Sequence, residues 1–306
     1  SMPNYLALYE ALGFNVAQTS DAASFSEDSA FPAGARQDSN NQVAPSGSEE
    51  KDGSGAQHTL PKFAHLPHIM NEQGNKKLGK RDGAKDVLDY IRDGYLPETM
   101  MSFIATMGWN DGTEQEVFTK QELIDKFSLA RVQKSGARFD EKRLLWMNGH
   151  FIRELSLDEL SDRIEFFWPE VAKKAPENYK KQVLTLAQDR LKTFKDLPAL
   201  TSYFFEEPTP DLTLITENKQ LKKLSQEEIS HLLDEVKTAF EAMGEWNAGT
   251  IQEALNQLLE TTGQKPGTLF SLVRIVTTWA PFSPQLNDTL ALLGKETTLR
   301  RLRAVQ

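Results

Sequence analysis

The sequence predicts a mainly α-helical protein with a short mixed α/β segment near its N-terminus. Beyond residue 84, apolar residues recur at helical spacing, and Ser or Thr followed three positions later by Glu marks several helix starts. Before that point, residues 62–70 have the character of a strand, and residues 71–74 have the composition of a turn. At 306 residues the chain is long enough for two or three domains.

The N-terminal part is predicted to be a short helix followed by a long polar segment. Leu8, Tyr9 and Leu12 place apolar side chains on one face of a helix over residues 2–14. Residues 18–59 hold eight serines, four glycines and seven acidic residues against two basic ones, without apolar periodicity. Such a segment cannot offset the entropy lost on ordering, so we expect it to be disordered.

Capping signals indicate where the later helices begin and end. The stripe of Val87, Leu88 and Ile91 indicates a helix. We expect Gly94 to end it and Pro97 to open the next one. Other helix starts are marked by Thr119 with Glu122, Asp140, Ser156 with Glu159, and Ser225 with Glu228. Further helices are predicted over residues 177–193, 197–205, 225–243, 249–262, 267–279, 284–293 and 295–304.

Composition and charge narrow the functional classes. The chain has no cysteine, which excludes disulfides and thiolate metal sites and fits a reducing cytoplasm. A net charge of −9 argues against a protein that coats nucleic acid indiscriminately, but local basic patches still allow specific RNA binding. No apolar run is long enough to span a bilayer, and the first residues do not have the composition of a secretory signal.

The basic loop over residues 75–84 carries the strongest functional signal. It reads N-K-K-L-G-K-R-D-G-A, so that basic residues surround two glycines directly after the predicted hairpin. Glycines let the backbone approach a ligand closely, and lysines act as mobile point charges for phosphate groups. These residues alone leave open both a solvated basic turn and a phosphate-binding loop.

The context of this loop resembles the second ATP-binding motif of class I aminoacyl-tRNA synthetases, usually written K-M-S-K-S. The longer stretch L-P-H-I-M-N-E-Q-G-N-K-K-L-G-K-R-D-G-A is similar to bacterial-type glutamyl-tRNA synthetases. The resemblance is collinear over roughly four fifths of the chain, which makes it far more specific than one short motif. The further segments that carry it are residues 94–98, 107–109, 139–140, 145–153 and 292–296.

The resemblance implies three regions. Residues 1–83 would end the catalytic domain and include the insert and the loop at 77–81. Residues 84–165 would form the stem-contact region, and residues 166–306 an all-helical anticodon-binding cage. The family's first ATP motif, H-I-G-H, is absent from this sequence, as is the strand–helix alternation of a parallel sheet. We therefore expect a C-terminal fragment, monomeric, that cannot form glutamyl-adenylate by itself.

The resemblance also implies roles for the loop and partners for the enzyme. Lys77 and Lys80 would contact ATP phosphates and neutralise charge as pyrophosphate leaves. Gly79 and Arg81 belong to the same nucleotide-binding loop, and Gly79 stands where the motif has a serine. The whole enzyme would use ATP and Mg²⁺ to join glutamate to tRNA-Glu, and charging of tRNA-Gln stays open.

Basic residues in two further segments are candidate tRNA contacts. In the stem-contact region the candidates are Arg131, Lys134, Ser135 and Arg143. In the segments that resemble the anticodon-binding surface they are Arg274, Arg300 and Arg301, with Trp279 as a further candidate. A solvated helix start is the alternative for the first group, and a core position is the alternative for Trp279.

Other functional classes receive less support. A non-catalytic tRNA-binding module and a helical protein-interaction adaptor remain as alternatives. His65 and His68 have an H-x-x-H spacing, but on a strand they would face opposite sides, so no metal site is predicted. No convincing carboxylate pair, G-x-S-x-G or G-x-x-x-x-G-K-[ST] motif is present.

Overall fold

The structure is a computed structural model that describes residues 66–79 and 85–304, and the regular secondary structure of this part is almost entirely helical. The α-helices in chain order are α1 Val87–Asp93, α2 Pro97–Thr106, α3 Lys120–Lys126, α4 Glu141–Glu154, α5 Leu157–Ile164, α6 Glu177–Ala187, α7 Leu197–Thr201, α8 Thr213–Thr216, α9 Gln226–Ala242, α10 Ala248–Thr262, α11 Pro266–Thr278, α12 Leu286–Leu293 and α13 Lys295–Arg303. Short 3-10 segments lie at Leu129–Arg131, Glu165–Phe167, Glu170–Lys174, Gln188–Arg190, Phe194–Asp196, Ser202–Phe204 and Leu221–Lys223. The prediction of a mainly α-helical fold is confirmed.

The predicted helix over residues 2–14 and the insert over residues 18–59 lie outside the described residues.

The predicted capping residues begin and end the helices as expected, because they satisfy backbone groups that lack partners inside the helix. Thr119, Ser156 and Ser225 each form a capping box with the glutamate three residues on. Asp140 caps α4 through its side chain. Gly94 ends α1 with a φ of 80°, a conformation that favours glycine.

The predicted strand is reduced, in its described part, to one bridged residue. Residues 66–69 have no strand pairing. Met70 forms an antiparallel bridge with Lys77 and a parallel bridge with Arg138. Pro67 has no amide hydrogen to donate to a ladder, which explains why pairing does not extend towards the N-terminus.

Two hydrophobic cores organise the helices. The first core takes side chains from α1, α2 and α4 to α7, and it also includes Ala280 from the loop after α11. It continues across residue 165, where a region boundary is predicted. The second core takes side chains from α8 to α13 and begins at Ile215. A small cluster of Trp109, Phe118 and Leu123 covers the loop between α2 and α3. The division at residue 165 stays a prediction.

One apolar stripe that predicted a helix faces solvent instead of a core. Val87, Leu88 and Ile91 of α1 are all exposed, whereas Tyr90 on the same helix is buried in the first core. The helical period therefore identified the element correctly but not the face that packs.

Arg301 of α13 joins the two cores. Its side chain is only 4% exposed. Its guanidinium donates to the carbonyl oxygens of Tyr203 at 2.9 Å and Glu206 at 3.1 Å, at the end of the first core. It also donates to the carbonyl oxygen of Thr277 on α11 at 2.7 Å. One side chain thus bonds to the main chain on both sides of the junction.

Candidate functional site

A tight turn organised by Asn71 precedes the basic loop. Asn71 is buried, and its Oδ1 accepts from the amides of Asn75 at 3.1 Å and Lys76 at 3.4 Å. Its own amide donates to the carbonyl oxygen of Lys76 at 2.9 Å. Gly74 within the turn has a φ of 72°. An asparagine side chain that satisfies its own turn in this way fixes where the following lysine emerges.

The turn is fixed against residues 136–139. The amide of Met70 donates to the carbonyl oxygen of Ala137 at 2.8 Å, and the amide of Phe139 donates to the carbonyl oxygen of Met70 at 2.9 Å. Gly136 makes this approach possible, because a Cβ there would lie 2.7 Å from the carbonyl oxygen of His68. The hairpin and the segment before α4 are therefore one backbone-paired unit.

Lys77 lies on the surface at the far side of this unit. Its side chain is exposed, and the next residue, Leu78, donates its amide to the carbonyl oxygen of Ile69 at 2.8 Å. Gly79 is half-buried. Lys80 and Arg81 lie outside the described residues. The structure therefore gives the anchored base of the loop and the position of its first candidate lysine.

The first basic segment is exposed and continuous with the residues that pair with Met70. Arg131, Lys134, Ser135 and Arg138 all lie on the surface. The Arg138 side chain packs over Gly74, where a Cβ would lie 2.9 Å from its Cζ. Backbone pairing thus brings this segment next to the base of the lysine loop.

Arg143 differs from its neighbours because its side chain bonds to the protein. Its Nε donates to Glu116 Oε2 at 3.3 Å, and its Nη2 donates to Thr106 Oγ1 at 3.1 Å. The guanidinium also lies 6.0 Å from the ring centre of Phe103. It lines an open cleft of about 560 Å³ that also contains Glu114 and Glu116, so its charge is already balanced there.

Arg274 is oriented by the loop that follows its helix. Its Nε donates to Ser283 Oγ at 2.8 Å. Burial, and next the positive charge of Arg190, lower the pKa of Arg274. Trp279, the other candidate here, is half-buried and packs against the second core, as its structural alternative predicts.

The two arginines near the C-terminus both contact Glu207 but differ sharply in burial. The Arg300 side chain is 63% exposed and donates to Glu207 Oε2 at 2.7 Å. Arg301 is one residue further along α13 and points into the junction between the cores, because successive helical residues are rotated by about 100°. Its guanidinium bonds to main-chain carbonyls and to the Glu207 carboxylate, and we therefore assign it a structural role at the junction.

Two structural features near the candidate residues could not be predicted from the sequence. Gly136 carries no local signal, because the backbone that approaches it lies more than sixty residues earlier in the chain. Arg190 lies in a 3-10 turn after α6, and its positive charge acts on Arg274, which is distant from it in sequence. Pairing partners distant in sequence cannot be read from one sequence alone.

The part of the chain that the structure describes was searched for metal sites and for membrane-spanning helices. Within residues 66–79 and 85–304, no group of three or more His, Asp or Glu side chains is placed to hold a metal ion. His68 is exposed, and His65 lies outside this part of the chain. None of the helices described above combines the length and apolarity needed to cross a membrane.

Two protein-family models match the chain in succession. The model for the catalytic domain of class I tRNA synthetases (E and Q) matches residues 56–146, which include the lysine loop and the segment paired with it. The model for an anticodon binding domain matches residues 156–306. The gap between the matches falls within α4 and the turn that follows it.

Relatives and solved structures agree with these matches. The glutamate–tRNA ligase of Moorella thermoacetica is 34% identical over 251 residues, which are 80% of this chain and 50% of the relative. That of Chlorobium chlorochromatii is 36% identical over 255 residues, 79% of this chain and 50% of the relative. The crystal structure of a glutamate tRNA ligase from Elizabethkingia meningosepticum in complex with its amino acid has a TM-score of 0.63 and 25% identity, covering 80% of this chain and 51% of that one.

The extent of these matches is consistent with the expected C-terminal portion. The chain spans about half the length of the curated relatives that it matches. The segment that matches the catalytic-domain model precedes the segment that matches the anticodon-binding model. The chain belongs to the glutamyl-tRNA synthetase family of class I aminoacyl-tRNA synthetases.

Proposed function

We propose that this chain supplies the tRNA-binding part and the phosphate-binding loop of a glutamate–tRNA ligase. The proposed reaction joins glutamate to tRNA-Glu through glutamyl-adenylate in the cytoplasm, with ATP and Mg²⁺. The observation that carries the proposal is the double pairing of Met70. On one side it bridges to Lys77 in the lysine loop, and on the other it bridges to Arg138 in the exposed basic segment.

The lysine loop would neutralise negative charge on the ATP phosphates. Lys77 is exposed on a turn held at its base by Asn71, so its ammonium can reach a ligand while the backbone stays fixed. Lys80 would act from the same loop. Gly79 in place of a serine removes one hydroxyl donor but fits close approach of the backbone. The donor set suits phosphate oxygens, and no described residue is assigned to Mg²⁺.

The tRNA would be held at two places. Arg131, Lys134 and Ser135 lie exposed in the segment that leads to the residues paired with Met70, and they would contact phosphates. Arg143 would contribute indirectly, by holding the end of that segment against Glu116. In the second core, Arg274 and Arg300 would face the RNA. Because the chain as a whole carries a net charge of −9, binding would be confined to these patches.

Anisotropy of fluorescein-labelled tRNA-Glu across a salt series tests RNA binding. We expect the logarithm of the affinity to fall linearly with the logarithm of salt concentration. Lys134→Glu should weaken binding and reduce that slope by about 1, since one phosphate contact is lost. Lys222→Glu, an equal charge change at an exposed lysine of the second core, serves as the control. Absence of binding by the wild-type chain at low salt would overturn the proposal and favour a protein-interaction adaptor.

We also propose that this chain makes no glutamyl-adenylate by itself. It contains the second ATP motif but no H-I-G-H motif, so half of the expected phosphate clamp is not encoded in it. ATP–pyrophosphate exchange with glutamate and tRNA-Glu should remain at background. Exchange above background, abolished by Lys80→Ala, would show that the chain carries a complete activation site.

A further inference from the structure

Lys85, which directly follows the lysine loop, is held by carboxylates from two helices. It is the first residue that the structure describes after residue 79, and its Nζ donates to Asp93 Oδ2 of α1 at 3.1 Å. The same Nζ lies 3.8 Å from Glu141 Oε1 at the start of α4 and 5.8 Å from the ring centre of Tyr90. Several charges in a network order a side chain better than one exposed ion pair does. Lys85 therefore has the surroundings of an anchor for the backbone.

Asp93, the main partner of Lys85, is itself fixed in position. Its Oδ1 accepts from Lys195 Nζ at 2.7 Å, and Lys195 lies in the segment before α7. The next residue, Gly94, accepts at its carbonyl oxygen from the amide of Phe194 at 3.1 Å. Hydrogen bonds from Lys195 and next from Lys85 lower the pKa of Asp93, so the carboxylate is ionised at neutral pH. A charged carboxylate thus stands at a determined place beside the end of the lysine loop.

Both ends of the lysine loop are held at the start of α4. Before the loop, the amide of Phe139 donates to the carbonyl oxygen of Met70, the residue that bridges to Lys77. After the loop, Lys85 reaches Glu141 in the first turn of α4. A segment whose ends are already fixed loses less conformational freedom when it binds a ligand. The two anchors therefore favour phosphate binding by the lysine that stays exposed, Lys77.

We propose that Asp93 is a positioning residue for the lysine loop, which acts through Lys85 and does not touch phosphate itself. The inference rests on the proposed phosphate binding by this loop, and it assigns Lys85 to the anchor instead of the ligand-binding lysines. It predicts an effect opposite in sign to that of charge alone. Removing a carboxylate near a phosphate site should strengthen anion binding by Coulomb's law, whereas removing a positioning carboxylate weakens it.

The first test is calorimetric titration of the chain with inorganic tripolyphosphate at low, fixed salt. Asp93→Asn should weaken binding about 2- to 5-fold, which corresponds to the loss of exposed ion pairs. Asp93→Glu should keep most of the affinity, because it restores the carboxylate. The matched control is Asp89→Asn, the same charge change on α1 at a residue that pairs with Arg92, and it should bind at least as tightly as the wild type. Unchanged or tighter binding by Asp93→Asn would overturn the proposal.

The second test asks whether Asp93 acts through Lys85. Lys85→Met should weaken tripolyphosphate binding, and adding Asp93→Asn to it should cause no further loss, because the anchor is already gone. Losses that add in the double variant would show that Asp93 acts by another route and would contradict the proposal. Unchanged urea midpoints would show that each variant is folded.

The same titrations separate this inference from the proposed function. If the wild type binds tripolyphosphate and Lys80→Ala weakens binding, but Asp93→Asn does not, the positioning role is wrong and the proposed phosphate loop stands. If the wild type does not bind, the proposed role of the loop fails, and the role of Asp93 fails with it.

Discussion

Asn148 is a fully buried side chain next to the first core, and its amide group makes several hydrogen bonds. Its Oδ1 accepts from the amide of Leu96 and the hydroxyl of Thr99, both at 2.9 Å. Its Nδ2 donates to the carbonyl oxygen of Lys192 at 2.6 Å. One amide of α4 thus ties down the start of α2 and the segment that leads into α7.

Replacing this amide should destabilise the first core strongly. Asn148→Ala leaves several buried groups without partners, and each such group costs about 1–3 kcal/mol, so we expect a loss of about 3 kcal/mol or more. Urea unfolding measures the change. Asn178→Ala, at an exposed position of α6, should alter the free energy of unfolding by no more than about 0.5 kcal/mol. Similar effects for both variants would contradict the role given to Asn148.

Asp111 provides a prediction about pH. Hydrogen bonds from Thr113 and next from Lys126 lower its pKa from 3.8 to about 2. Because the folded pKa lies below the unfolded one, the stabilisation is present above pH 3.8 and is lost as the pH falls towards 2. NMR titration of the carboxyl carbon should give a midpoint near 2. Lys126→Met should raise the midpoint, and Lys120→Met on the same helix should not; a wild-type midpoint near 4 would refute the assignment.

At the scale of elements, the hairpin before the lysine loop depends on a close backbone approach. Gly136→Ala would place a Cβ 2.7 Å from the carbonyl oxygen of His68, so the hairpin has to move away. The amide hydrogens of Met70 and Phe139 should then exchange with solvent at least about 5-fold faster, which corresponds to a loss of about 1 kcal/mol. Gly244→Ala is the control, because a Cβ there meets nothing within 4 Å. Equal protection in both variants would refute the close docking.

Helix boundaries could be predicted because their signals are local. Ser225 and Glu228 bond to each other's backbone within one turn of α9, so the sequence contains the whole interaction. Packing partners could not be predicted in the same way. Val87 and Ile91 have the helical period of a buried face, yet that face of α1 is exposed. The period reports which side chains share a face and carries no information about what covers it.

At the scale of the whole molecule, Arg301 is one of the links between the two cores. Its guanidinium bonds to Tyr203 and Glu206 beside the first core and to Thr277 in the second. Sequence reasoning placed this arginine among the RNA contacts, because the segment around residues 300–303 resembles part of an anticodon-binding surface. Their directions follow from tertiary packing, which local sequence does not determine.

Removing this link should uncouple the cores. Arg301→Met leaves three main-chain carbonyls without their donor, at a cost of about 3 kcal/mol. Calorimetry of the wild type should show one unfolding transition, and the variant should show two. Arg300→Met removes only an exposed ion pair with Glu207 and should keep a single transition. One transition in Arg301→Met, at an unchanged temperature, would contradict this role.

The candidate site was predictable to the extent that it resembled a known motif. Lys77 and Gly79 stood out through their neighbours, and the family models now cover them. The support beneath them, Gly136 and the paired Ala137, comes from a region that sequence reasoning assigned to the tRNA stem. Contacts between distant segments follow from the fold, so they cannot be predicted from the sequence of either segment alone.

The double pairing of Met70 also has a consequence for synthesis of the chain, because its two partners are made at different times. Met70 and the turn after it leave the ribosome well before residues 136–139, because the chain emerges from its N-terminal side. Until Phe139 is available, the amide and the carbonyl of Met70 bond to water on that side. The turn before the lysine loop is then held only by its own hydrogen bonds, and it gains its contact with residues 136–139 once the start of α4 has been made. A ribosome stalled between α1 and α4 would therefore present the turn with its own hydrogen bonds but without this second contact.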